Sequence, residues 1–87
     1  MLPMIEQPTM IRVEEVITES SLAKSFIFRS KIDYQPGQFI MVWVPRLDEK
    51  PFSISYHGED SFGITVALKG RFTKRLHQMK VGDSLGI

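Results

Sequence analysis

The sequence predicts an all-β protein carrying one short helix. Three observations lead there. From Phe62 to Lys69 the chain alternates with the period of a strand: Phe62, Ile64, Val66 and Leu68 face one way, Gly63, Thr65, Ala67 and Lys69 the other. Other short stretches of strand character are separated by turn signals, which favours a sandwich or barrel over an α/β fold. The period changes to that of a helix only once, between Gly70 and Met79.

Taken in order, Met1 to Pro8 holds two prolines and no period, and reads as a flexible arm ahead of a domain at 9–87. Thr9 to Thr18 is the first strand, with Ile11 and Val13 inward and Arg12 and Glu14 outward. Glu14-Glu15 breaks the alternation, and a bulge there returns Val16-Ile17 to the core side. Glu19-Ser20-Ser21 turns the chain into Leu22 to Ser30, where Leu22, Phe26 and Phe28 share a face. Pro36-Gly37 is a turn, since proline presets φ and glycine accepts a positive one. Gln38 to Val44 is apolar on both faces, as expected of a central strand or one lining a barrel. Pro45 lacks an N–H and ends it.

Arg46 to Lys50 reads as a solvated, charged connection to a fourth strand, Pro51 to His57. Alternation puts Phe52, Ile54 and Tyr56 on one face of that strand and Ser53, Ser55 and His57 on the other. Gly58 to Ser61 is a turn before the fifth strand. The helix is expected at 73–79, with Thr73 as its N-cap, Phe72 as a staple, and Leu76 and Met79 inward. Ser84 begins a sixth strand, whose completeness the sequence leaves open. The predicted core is Phe28, Phe39 or Ile40, Ile54, Ile64, Val66 and Leu76.

Composition narrows the function classes. With 87 residues, 43% hydrophobic and 24% charged, this is one small globular domain. A net charge of +1 argues against a nucleic-acid partner. No apolar run approaches the ~20 residues of a membrane-spanning helix. MLPMIEQP has neither the basic nor the apolar part of a secretory signal. Without cysteine the chain forms no disulfide and no cysteine-ligated iron–sulfur cluster of its own. His57 and His77 stand apart and are expected at the surface, not on a metal. No residue reads as a catalytic acid, base or nucleophile.

Two stretches carry candidate chemistry. Lys50-Pro51-Phe52-Ser53 places a cation, an aromatic ring and a hydroxyl at a strand start, where they suit a polar ligand. The same pattern also describes an ordinary strand with a serine-lined solvent face. Gly70 to Thr73 is the one glycine-to-helix transition, and free N–H groups at a helix start attract phosphate. Equally, it is a plain strand-to-helix turn.

PGQF, an apolar strand and then KPFS resemble the flavin-binding domain of the ferredoxin–NADP reductase family, which carries R-x-Y-S at this place. A proline at the second motif position resembles the electron-transfer subunits of dihydroorotate dehydrogenase. GRFTKRL, from Gly70, is similar to the family's G-x-x-S/T phosphate site. The resemblance runs from about Arg12 to Ile87. It implies a six-stranded antiparallel Greek-key barrel with one short helix, binding FAD or else FMN. By position, Lys50 is expected on the flavin diphosphate, where lysine lacks the bidentate fork of arginine. Phe52, preceded by Pro51, is expected along the ring and ribityl chain, and Ser53 near flavin N5. Gly70 and Thr73 are expected at the phosphates, and the backbone of Val66 to Leu68 at the ring edge.

The same resemblance implies a cytoplasmic electron-transfer oxidoreductase subunit that works with a catalytic dehydrogenase subunit. The family continues past Leu85-Gly86-Ile87 into a glycine-rich loop and a nicotinamide-binding domain. The expectation is therefore a fragment that is not catalytically complete. A cut-short last strand predicts an open sheet edge and self-association near Ile87 or Trp43. The alternative from another class is a flavin-free β-barrel that serves as a binding or interaction module.

Overall fold

The computed structural model describes residues 9–30 and 38–87. The predicted arm and the Pro36-Gly37 turn lie outside them. The elements are β1 (Met10–Ser20), β2 (Ala23–Phe28), β3 (Phe39–Val44), β4 (Asp48–His57), β5 (Phe62–Ala67), α1 (Arg71–His77) and β6 (Ser84–Gly86). The strands are antiparallel and close into a barrel in the order β1-β2-β5-β4-β3-β6. Strands β3 to β5 run as successive hairpins and β6 returns beside β3, which is a Greek key.

The first strand slips register between Val13 and Glu15, so the expected bulge is present. It buries Val13 fully and leaves Val16 and Ile17 half-buried. The bulge also receives the turn before β6. Val13 donates to the Asp83 carbonyl at 2.7 Å, and the Gly82 N–H reaches the Val13 carbonyl at 2.9 Å. Gly82 sits at φ 96, a conformation that glycine takes without penalty. Asp83 steadies this turn by accepting from the Lys80 N–H at 2.8 Å.

Barrel closure corrects the expectation of an open edge. The last strand pairs with β1 on one side and meets β3 at Trp43 and Gly86 on the other. Its Leu85 is fully buried. Inside lie Phe26, Phe28, Ile40, Val42, Ile54, Phe62, Ile64 and Val66, with Phe28 stacked on Phe62 at 5.2 Å. Phe72, Leu76 and Met79, from α1 and the residues after it, join this same core. Of the two predicted alternatives, Ile40 is buried and Phe39 is 69% exposed. A closed ring sends alternate residues outward, so β3 shows an apolar outer face.

Three further expectations need correction. The connection after Pro45 is shorter than the charge pattern implies. Arg46 turns in the left-handed region (φ 68) and Leu47 donates to the Val44 carbonyl at 3.1 Å. Asp48, Glu49 and Lys50 then extend the ladder opposite Val44, Trp43 and Val42. Their side chains stay exposed, so their poor strand propensity costs little. Tyr56 leaves the core face. A register shift between Ile54 and Tyr56 sends it outward, where it is 39% exposed. The helix starts earlier than predicted. Gly70 is its N-cap, with its carbonyl taking the Lys74 N–H at 2.8 Å, and Thr73 is the third helical residue. The Thr73 hydroxyl reaches back to accept from Lys69 and Gly70 N–H at 2.8 and 3.0 Å, which is half of a capping box.

Two glycines separate packing from open space. A Cβ at Gly63 would lie 2.5 Å from Ile27 Cδ1 and 3.0 Å from the Phe26 carbonyl oxygen. At Gly70 it would meet nothing within 4 Å. Gly63→Ala is therefore expected to cost about 1–3 kcal/mol in urea denaturation, the scale of overpacking. Gly70→Ala should stay within about 0.5 kcal/mol, as for an unencumbered surface position. Equal losses at the two sites would contradict this packing.

Candidate functional site

Pairing of β4 with β5 gathers polar residues on the outside of the barrel. Ser53 and Ser55 come from β4, Thr65 and Ala67 from β5, and Phe39 reaches in from β3 opposite Ser53. With Pro51, Phe52, Lys69 and Thr73 they line a depression of about 400 Å³. A second depression, of about 330 Å³, shares Pro51, Phe52, Lys69 and Thr73 and adds Lys50, Gly70, Arg71 and Phe72. The two form one cleft along β4 and the start of α1.

The cleft is chemically lopsided. Lys50, Lys69 and Arg71 line one end, and no acidic side chain is among its described lining residues. Lys50 lies 4.0 Å from Asp48, but both are half exposed, and such a pair contributes little. Phe52 stacks on Phe72 with centroids 6.0 Å apart and planes 20° from parallel, so the helix fixes an aromatic wall. The opposite end is lined by the hydroxyls of Ser53, Ser55 and Thr65. Such a cleft can hold an anion at one end and a flat or hydroxylated body along the rest.

A hydroxyl network backs this second end. Ser55 Oγ lies 2.8 Å from Thr65 Oγ1, which lies 2.8 Å from Ser25 Oγ. Ser25 donates to Glu19 Oε1 at 2.8 Å, and Tyr56 donates to the same oxygen at 2.6 Å. These bonds hold the Glu19 carboxyl below the usual carboxylate range, with Tyr56 the larger cause and Ser25 the second. The Tyr56 phenol is pushed up in turn, chiefly by its bond to Glu19.

Six of the predicted residues meet here: Lys50, Pro51, Phe52, Ser53, Gly70 and Thr73. Val66 and Leu68 are not among the described lining residues. The Val66 side chain is in the core and its carbonyl accepts from His77 Nε2–H at 2.7 Å; the Leu68 N–H donates to Leu22 at 2.7 Å. His77 is thereby half-buried and engaged, a correction to its expected place at the surface. Thr65, Ala67, Lys69 and Arg71 were missing from the sequence reading of the site. The signal for three of them was the second face of the strand expected from Phe62 to Lys69, which becomes a site wall only once β4 is known to lie beside it.

Fold and cleft define a six-stranded Greek-key barrel with a cationic, aromatic-walled groove at its helix. Over nearly its whole length the chain is similar to dihydroorotate dehydrogenase electron transfer subunits, in keeping with the ferredoxin-reductase-type resemblance of its motifs. It is 43% identical over 83 residues to a protein of Methanocaldococcus jannaschii named "Probable dihydroorotate dehydrogenase B (NAD(+)), electron transfer subunit", covering 95% of this chain and 31% of that one. Proteins of the same name from Thermococcus kodakarensis and Methanothermobacter thermautotrophicus are 43% identical over 77 residues and 39% over 84. Those matches cover 88% and 92% of this chain, and 31% of each relative. The chain thus spans about a third of the length of these curated relatives. No protein-family model matches it.

The Glu19 network has a checkable sign. A depressed carboxyl stabilises the fold above its unfolded pKa, and that contribution is lost as pH falls through the lower folded value. Tyr56→Phe removes the larger cause, so the Glu19 pKa should rise toward the ordinary carboxylate value in a carbon-13 NMR titration. The acid limb of unfolding should move to higher pH with it. An unmoved Glu19 would show that the phenol does not donate to it.

Proposed function

We propose that this chain is the flavin-binding barrel of a cytoplasmic electron-transfer oxidoreductase subunit. That subunit passes electrons between NAD(P)H and a catalytic dehydrogenase subunit of the dihydroorotate dehydrogenase kind. The observation that carries the reading is the cleft, which unites both family-like motifs under three cations. Residues 9–87 form the flavin domain in this reading, and the nicotinamide-binding part belongs to the length of the relatives beyond it. No described helix is long and apolar enough to cross a membrane.

The residues fit a flavin nucleotide. Gly70 lines the cleft without any packing reason to be glycine, as suits close backbone approach by a phosphate. Lys50, Lys69 and Arg71 supply charge for FAD, or for FMN, at that end. Thr73 acts indirectly here, because its hydroxyl holds the Lys69 and Gly70 N–H groups and so shapes the turn. Phe52, braced by Phe72, offers apolar surface to the ring system and ribityl chain. Ser53 is exposed beside it, and this reading assigns it to the reactive nitrogen of the ring. When bound, the flavin supplies the electron chemistry, and these side chains bind, orient and tune it.

A second reading, a flavin-free barrel that contacts a protein or another copy of itself, draws on the outer face of β3. There Phe39 and Met41 are 69% and 44% exposed. Fluorescence titration with FAD, FMN and riboflavin separates the two. Lys50→Ala should weaken FAD and FMN about tenfold, the low end for a charge-assisted contact of about 1.5 kcal/mol. Riboflavin, without phosphate, should be nearly unaffected. Ser53→Ala should keep the affinity and shift the reduction potential. Protein that stays colourless with all three flavins favours the second reading.

A further inference from the structure

Ser25 is the one fully buried polar side chain among the described residues, and it has a single hydrogen to give. Its partners are Glu19 Oε1 at 2.8 Å and Thr65 Oγ1 at 2.8 Å. A carboxylate only accepts, so the hydrogen of Ser25 goes to Glu19. The Ser25–Thr65 contact must then be made by the hydrogen of Thr65. Thr65 has none left for Ser55, so Ser55 donates to Thr65 across their 2.8 Å contact. The Gly63 carbonyl, at 3.5 Å, is too long to compete for that hydrogen. Each hydroxyl thus points away from the cleft, toward Glu19. Charge at the end of the chain strengthens every link behind it.

We propose that Glu19, which stands behind the cleft wall, sets the direction of this chain so that Ser55 and Thr65 present only acceptor lone pairs to the cleft. The part of the cleft beside Ser55 and Thr65 then selects a ligand group that donates a hydrogen bond. With the flavin reading, on which this rests, phosphate lies at the Lys50, Lys69 and Arg71 end and the ring extends toward Ser55. The oxidised flavin ring has one N–H, its imide, and that is the donor the hydroxyls select. Glu19 is a positioning residue, acting through Ser25 and Thr65 without touching the ligand.

The direction of the chain is tested first in ligand-free protein. Thr65→Val keeps the shape of the side chain and removes the hydrogen that polarises Ser25. Glu19 should then titrate at higher pH by carbon-13 NMR, although Thr65 does not touch it; an unchanged titration overturns the proposal. The second arm compares riboflavin with 3-methylriboflavin, whose imide hydrogen is replaced by methyl. Wild-type protein should prefer riboflavin by tenfold or more. Glu19→Ala should bring the ratio within threefold, while Glu19→Gln, which keeps an acceptor oxygen, should hold most of it. A purely steric effect of the methyl group would survive Glu19→Ala, and that result overturns the proposal. Circular dichroism checks that each variant is folded. If wild-type protein binds riboflavin without discrimination, the inference fails and the flavin reading stands. If it binds no flavin at all, that reading fails and takes the selection of the imide with it; the Glu19 titration still decides the direction of the chain.

Discussion

Closure of the ring through β6 is the constraint on which the other features rest. Three residues, Ser84–Gly86, carry it. So short a strand makes few ladder bonds, and its hold comes from elsewhere. Leu85 is buried in the core, Thr9 and Ile87 exchange backbone bonds at 3.1 and 2.9 Å, and the Lys80–Asp83 turn is tied to Val13. The β1 bulge is therefore more than a correction of hydrophobic phase, because it leaves Val13 free to bind that turn. With the ring closed, β6 is held between β1 and, at Trp43 and Gly86, β3, and is not left as a free last strand. What the surface does offer to a partner is side-chain area on β3.

Closure also decides where a ligand can sit. The interior is filled by large side chains, among them Phe26, Phe28 and Phe62, so the cleft must be on the outer face. There the bulge of β4 matters. It places Ser55 beside Thr65 and turns Tyr56 out toward Glu19 on β1. Gly63 sits opposite that bulge, where a Cβ would press on Ile27 and the Phe26 backbone. The same Cβ would also come within 3.2 Å of Tyr56 Cβ, so the missing side chain in β5 leaves room both for β2 and for the bulged part of β4 at the hydroxyl end of the cleft.

The strands were legible in the sequence because their apolar residues recur with period two, as in Phe62-Ile64-Val66. The core followed from the same residues. The distortions were harder to read. Ser53-Ile54-Ser55-Tyr56 alternates without fault, and only Gly63, far along the chain, marks the bulge. Asp48-Glu49-Lys50 reads as loop because charge depresses strand propensity, yet a three-residue turn through Arg46 leaves those residues to pair with β3. Thr73 reads as an N-cap because caps are ranked by side chain, while the backbone begins the helix one turn earlier at Gly70. The site was legible where it follows a local motif, as at Lys50 to Ser53. Its β5 wall and its hydroxyl chain depend on strand order, which periodicity does not encode.

The cleft is nearly independent of the forces that hold the barrel together. Gly70 has free space around it, Lys50 makes one long exposed ion pair, and Ser53 is exposed. Exposed pairs of this kind contribute between nothing and about 1 kcal/mol. Phe52 is the partial exception, since it packs against the core as well as on Phe72. Among the described residues the one ion pair made by these three cations is Lys50–Asp48, so folding gains little there from placing Lys50, Lys69 and Arg71 around one groove. On the proposed flavin reading, the phosphate of the ligand accounts for them. The hydroxyl end differs in kind, since Ser25 is sealed in the fold and Glu19 holds its hydrogen. One end of the cleft is therefore adjustable without unfolding the barrel, and the other is tied into it. On the flavin reading, affinity for the phosphate is open to single lysine changes, while the proposed direction of the hydroxyls is tied to Ser25 inside the fold.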